Sequence, residues 1–179
     1  MFKTLPRLRN LLVSFALLTV SVTSSAEDFP GVMFILDGSG SMWGPAGEQT
    51  KIEAGRAVMK TIVPSLPSEL TVGLTSYGHR RKGDCNDIEV LVPIENHDRS
   101  SLLSKVDAIS PKGKTPIAAS VARVASSLRA REHETTIVLV SDGEETCNAD
   151  PCGAVRALKE SDIQFKLHVV GFDVNASQK

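Results

Sequence analysis

The sequence predicts an α/β domain, doubly wound, with a mostly parallel central sheet flanked by helices on both faces. Three observations carry this. Apolar runs such as "GVMFILD" (31–37) and "TTIVLVSDG" (135–143) do not alternate in polarity, as befits strands buried on both faces. Stretches with helical spacing separate these runs. The runs end abruptly in polar turns, "DGSGS" and "SDGEE", where ligands sit in sheets of this kind. The chain has 179 residues, which fits one domain, and 41% of them are apolar. With one Trp, one Tyr and six Phe, its core must be built from Val, Ile, Leu and Ala.

The N-terminus stands outside that core. Lys3, Arg7 and Arg9 precede the apolar stretch "LLVSFALLTVSV" (11–22), and small residues Ser24 and Ala26 follow in "TSSAED". This pattern reads as a secretory signal peptide over 1–26, with 27–30 as a short linker. A membrane anchor is the alternative, but the apolar run is short against the roughly 20 residues that span a bilayer. Export to a periplasmic or extracellular space is therefore expected, with no membrane span after cleavage.

Strand and helix patterns then alternate. The run 31–37 is the first strand. "KIEAGRAVMKTIV" (51–63) sets Ile52, Gly55, Val58, Met59 and Ile62 on one helical face. "LTVGLTSYG" (70–78) is a strand, and "DIEVLVPI" (87–94) another, short enough for a sheet edge. "DRSSLLSKVDAIS" (98–110) is a helix with Leu102, Leu103, Val106 and Ile109 inward. "PIAASVARVASSLRA" (116–130) is a strong helix, with Thr115 as its cap and Pro116 at the first helical position. The run 135–143, a buried strand leading into a turn, a helix at 151–161 and a strand at 164–174 complete the order. His168 is expected to pack within that last strand, and His133 to lie in a polar loop. The sequence stops at "NASQK", so a final helix and edge strand are expected to be absent and the domain, 31–179, to be C-terminally truncated.

Charge excludes one class of partner. Without the signal segment, 17 basic residues face 21 acidic ones. A chain of mildly negative charge lacks the basic face that nucleic acid requires. Three cysteines lie beyond the signal. Cys147 and Cys152 frame "CNADPC" and are expected to form a local bridge, leaving Cys85 over. There is no C-x₂-C pattern for zinc.

The strand ends collect oxygen donors. The first loop gives Asp37, Ser39 and Ser41, the segment "GKTPI" gives Thr115, and the end of the run 135–143 gives Asp142 in "VSDGEE". Two carboxylates and three hydroxyls suit a hard divalent cation, Mg²⁺ above all, with Mn²⁺ or Ca²⁺ as alternatives. Each residue alone has an ordinary role: a turn residue for the aspartates, a loop residue for the serines, a cap for Thr115. Their joint order is what points to a metal. The glycines of "DGSGS" are expected to let the backbone bend so that its three side chains face one ion. "ISPKGKT" is not a phosphate-binding loop, because Ala108 stands where the first glycine is needed and Pro116 follows the Thr. The nucleophile motif G-x-S-x-G is absent. The basic loop "GHRRKGDC" (78–85) shares the strand-end face, where it either attracts an acidic ligand or is merely solvated. Glu144 and Glu145 either strengthen cation binding or solvate the turn. Trp43 is either an exposed contact anchor or packs over its loop.

"DGSGS", "GKTPI" and "VLVSDGEE" together resemble a von Willebrand factor type A domain with a metal-ion-dependent adhesion site, from about Gly31 to Val174. "GDCNDIE", "SDGEETC" and "HVVGFDV" are most similar to exported bacterial members. The resemblance implies that Ser39, Ser41 and Thr115 offer hydroxyls to Mg²⁺, while Asp37 and Asp142 complete the shell, often through water. It further implies that a partner protein's Asp or Glu fills the open position. Cation-dependent protein binding, rather than catalysis, is the expected function. The alternatives are an assembly subunit whose metal stiffens the loops, and a metal-assisted phosphoester hydrolase.

Overall fold

In a computed structural model, residues 30–131, 133–161 and 163–172 are described. The expected signal segment and residues 173–179 lie outside them. The described residues contain seven strands and four helices: β1 (Gly31–Asp37), β2 (Pro45–Ala46), β3 (Gln49–Thr50), α1 (Lys51–Ser65), β4 (Thr71–Tyr77), β5 (Ile88–Val92), α2 (Arg99–Ala108), α3 (Ile117–Ser127), β6 (Thr135–Ser141), α4 (Pro151–Lys159) and β7 (Phe165–Gly171). A short 3-10 turn, Gly40–Trp43, follows β1. The small antiparallel hairpin β2–β3 was not evident in the sequence; its strands are two residues each.

The main sheet has the order β5-β4-β1-β6-β7. Pairing is parallel except at β5, which runs antiparallel to β4 and forms the edge anticipated from its length. β1 is central because it is apolar up to its last residue, Asp37, and buried at every position. Its alternate side chains feed two cores. Val32, Phe34 and Leu36 join Met59, Val63, Leu102 and Val106 from α1 and α2. Met33 and Ile35 join Val121, Val124 and Leu158 from α3 and α4. Helices thus cover both faces, as parallel strands require.

The chain leaves β1 toward β4 on one side and later returns to β6 on the other. The carboxyl end of β1 is therefore a topological switch point, the crevice where such sheets bind ligands. Asp37 ends β1 and Ser141 ends β6.

Local expectations need correction at four places. α3 starts at Ile117, and Pro116 takes the cap position with no side-chain cap bond. Thr115 is not the cap, because its backbone is paired with the loop after β6: its N–H donates to Thr146 Oγ1 at 2.8 Å and its C=O accepts from Thr146 N at 3.1 Å. His168 is exposed rather than packed, since β7 pairs with β6 alone and lies at the edge of the described sheet. Neither Gly38 nor Gly40 has positive φ. Gly38 is needed for close approach instead, because a Cβ there would lie 2.6 Å from Tyr77 O. The fourth correction concerns the disulfide. Cys85 pairs with Cys147, and Cys152 is an exposed free thiol. α4 begins at Pro151, which carries Cys152 into the apolar groove with Val155 and Leu167. Cys147 stays in the loop after β6, which faces the loop after β4.

Candidate metal centre

Four loops meet at the carboxyl end of the sheet, and close backbone contacts hold them. Gly38 N–H donates to Tyr77 O at 2.9 Å, and Gly40 N–H to Gly113 O at 3.1 Å. Lys112 and Gly113 donate to Gly78 O at 3.0 and 2.7 Å. Gly78 has φ +66°, and a Cβ there would lie 2.5 Å from Lys114 O. No other residue type fits that junction without displacing backbone.

Asp37 is completely buried. Its Oδ1 accepts from Ser39 N at 2.7 Å. Its Oδ2 accepts from Tyr77 OH at 2.8 Å and Ser141 Oγ at 2.6 Å. Burial pushes the carboxyl above its ordinary pKa, against the hydrogen bonds from Ser141, Ser39 and Tyr77 that pull it down. Burial, then the adjacent Asp37 charge, pushes the Tyr77 phenol well above its usual range. Tyr77 is thus a neutral donor that orients Asp37.

Asp142 is also buried, at 5% exposure. Ser41 Oγ donates to its Oδ1 at 2.9 Å, and Lys51 Nζ to its Oδ2 at 3.0 Å. Ser39 Oγ lies 3.0 Å from Ser41 Oγ. Ser41 has one hydroxyl hydrogen, already given to Asp142, so Ser39 donates to Ser41. The hydroxyls and carboxylate form one directed chain. Ser41, Thr115 and Asp142 line an open pocket of about 420 Å³ together with Lys51, Glu144 and Thr146.

All five residues named from the sequence therefore lie at this junction. Asp37 and Ser39 are linked to one another below Ser41, while Ser41, Thr115 and Asp142 open onto the pocket. Among the described residues, no three His, Cys, Asp or Glu side chains cluster as metal ligands. The donor set is instead dominated by hydroxyls. Two buried carboxylates linked through Ser39 and Ser41, with one ammonium on Asp142, leave local negative charge, which a hard cation would balance. The residues fit such an ion.

Three participants escaped the sequence reading: Tyr77, Ser141 and Lys51. Ser141 stands next to Asp142 in "VSDG", which was the available signal. Glu145 proves to be structural. Its carboxylate accepts from Ala118 N at 2.9 Å and Cys147 N at 2.7 Å, tying the start of α3 to the loop after β6. Trp43 is half exposed, and its indole N–H donates to Pro111 O at 2.9 Å. In the basic loop, Arg80 pairs with the buried Asp87 at 2.7 Å and Arg81 with Asp84 at 2.8 Å, so both arginines are largely spent within the loop.

Known proteins share this architecture. A family model described as the von Willebrand factor type A domain matches residues 32–145. The uncharacterized protein YwmD of Bacillus subtilis (strain 168) is 27% identical over 171 residues, covering 88% of this chain and 76% of that protein. The inter-alpha-trypsin inhibitor heavy chain H2 of Mesocricetus auratus is 30% identical over 80% of this chain, which spans 16% of that protein. Among solved structures, a von Willebrand factor type A protein from Catenulispora acidiphila superposes with a TM-score of 0.59 at 19% identity, over 80% of this chain and 33% of that one. The manganese-loaded TRAP protein of Plasmodium vivax superposes at 0.56 with 19% identity, over 81% of this chain and 57% of that one. This chain thus spans about a third to somewhat over half of these solved chains. Fold, sheet order and family model agree, and the chain belongs to the von Willebrand factor type A domain family.

Proposed function

We propose that this domain binds a divalent cation, Mg²⁺ by preference, at the carboxyl ends of β1 and β6, and uses it to capture an acidic residue of a partner protein. The observation that carries the reading is the pair of buried carboxylates, Asp37 and Asp142, joined through Ser39 and Ser41 beside an open pocket. Every carboxylate oxygen already accepts a hydrogen bond from the protein. The hydroxyls of Ser39, Ser41 and Thr115 are then the direct ligands, with the aspartates acting through ordered water. Such a shell places few formal charges on the ion, so it retains affinity for one more anionic oxygen. The manganese in the TRAP structure supports a divalent cation in this fold. The Cys85–Cys147 disulfide supports export, since such bonds persist in oxidising compartments. Among the described residues, no helix is long and apolar enough to cross a membrane.

The test is capture of partners from the native host's envelope and medium, in Mg²⁺ against EDTA, by the wild-type protein and Thr115→Ala. Capture in Mg²⁺ that disappears with chelator and with the variant is the expected result. Equal capture in EDTA would refute metal dependence. Mg²⁺-dependent stabilisation with no capture at all would instead assign the metal to stiffening the loops.

A further inference from the structure

Lys51 is the first residue of α1, and its ammonium reaches into the candidate centre. The Nζ–Asp142 Oδ2 distance is 3.0 Å, with the side chains 14% and 1% exposed. A lysine buried to this degree against a nearly inaccessible carboxylate is not an ordinary solvated side chain. Its placement is built in. Thr50 and Glu53 form a capping box that fixes where α1 begins. Lys51 N–H donates to Gly44 O at 2.9 Å. A Cβ at Gly44 would lie 3.5 Å from Lys51 Cε and 3.7 Å from Nζ, so the side chain runs close past Gly44 toward Asp142.

We propose that Lys51 is an internal cation of this centre, competing with a divalent ion for Asp142 and lowering the site's metal affinity. The inference rests on the metal reading above. Without a metal, the ammonium compensates a carboxylate that is almost wholly out of water, which stabilises the empty loops. When a divalent ion arrives, the same ammonium either yields Asp142 or repels the ion at close range, and both oppose loading. The charges make the consequence clear. Asp37 and Asp142 would neutralise a divalent ion by themselves. With Lys51 the loaded centre keeps one positive charge. Glu144 also lines the pocket, but it is exposed and screened by solvent.

The experiment is calorimetric titration of MgCl₂ alone into the full chain, comparing wild type, Lys51→Met and Lys51→Gln. Melting curves in EDTA and in Mg²⁺ establish that each variant is folded. Should the Met variant fail to fold, the Gln variant provides the same neutral comparison. The neutral variants are expected to bind Mg²⁺ about fivefold tighter or more. They should also melt lower in EDTA and gain more from Mg²⁺ than wild type does. Binding by the neutral variants alone would support the same conclusion. Equal or weaker binding by both, with wild type binding normally, would overturn the role of Lys51 and leave the metal reading standing. Absence of Mg²⁺ binding in all three would overturn both.

Discussion

Asp37 has its position set by three elements at once: its own turn through Ser39, β4 through Tyr77, and β6 through Ser141. The Tyr77 hydroxyl donates to a buried charged acceptor, so Tyr77→Phe is expected to cost about 1.5–3 kcal/mol of stability by denaturant titration. It should also weaken Mg²⁺ binding, because Asp37 is then less firmly held. A variant that melts and binds like wild type would show that the phenol is a bystander. At this scale the sequence was legible where spacing is short. Asp37, Ser39 and Ser41 follow one strand and announce themselves together. Thr115 and Asp142 were legible through their order along the chain. Tyr77 and Lys51 were not, since each looks like an ordinary strand or helix residue until the fold brings it to a carboxylate.

Among the elements, the loops after β4 and β6 carry more structure than their composition suggests. The disulfide joins Cys85 to Cys147 across 62 residues and ties these loops on either side of β1. Cross-linking a loop of that length stabilises a domain by about 2–4 kcal/mol. The double variant Cys85→Ser/Cys147→Ser should therefore melt well below wild type, and an unchanged melting temperature would show that the bridge contributes little. The sequence suggested Cys147–Cys152 because proximity along the chain was the available guide. That guide failed because Pro151 starts α4 between them, and because β4 and β6 flank the same central strand. Asp87 anchors the loop after β4. Burial pushes its carboxyl pKa up, but hydrogen bonds from the backbone N–H groups of Arg81 and Arg80 and from the Arg80 side chain outweigh this and hold it below the usual value. A depressed folded pKa contributes stability above the ordinary carboxylate range, and that contribution is lost as pH falls through the folded value. The melting gap between wild type and Asp87→Asn should thus be full at neutral pH and close under strongly acidic conditions. A gap that does not change with pH would contradict this.

For the whole molecule, the apolar runs and intervening helical spacings were enough to anticipate two covered faces and a parallel centre. They did not reveal the β2–β3 hairpin, whose pairs are too short to carry a periodic signal. Among the described residues β7 pairs with β6 on one side only, and Val169 on it is 64% exposed. An apolar sheet edge invites pairing between chains. Val169→Lys is expected to reduce self-association in sedimentation while changing stability by less than about 0.5 kcal/mol. Unaltered association would place any self-contact elsewhere.

On the proposed reading, the switch point at β1 and β6 holds a divalent cation through its hydroxyls. The protein has a single tryptophan, Trp43, two residues from Ser41 and bonded to the loop that leads to Thr115. Its fluorescence therefore reports on the site directly. Titrating Mg²⁺ into wild type should give a saturable change that EDTA reverses and that Thr115→Ala weakens at least tenfold. A wild-type signal that neither saturates nor responds to EDTA, with the protein folded throughout, would show that no divalent cation is held there.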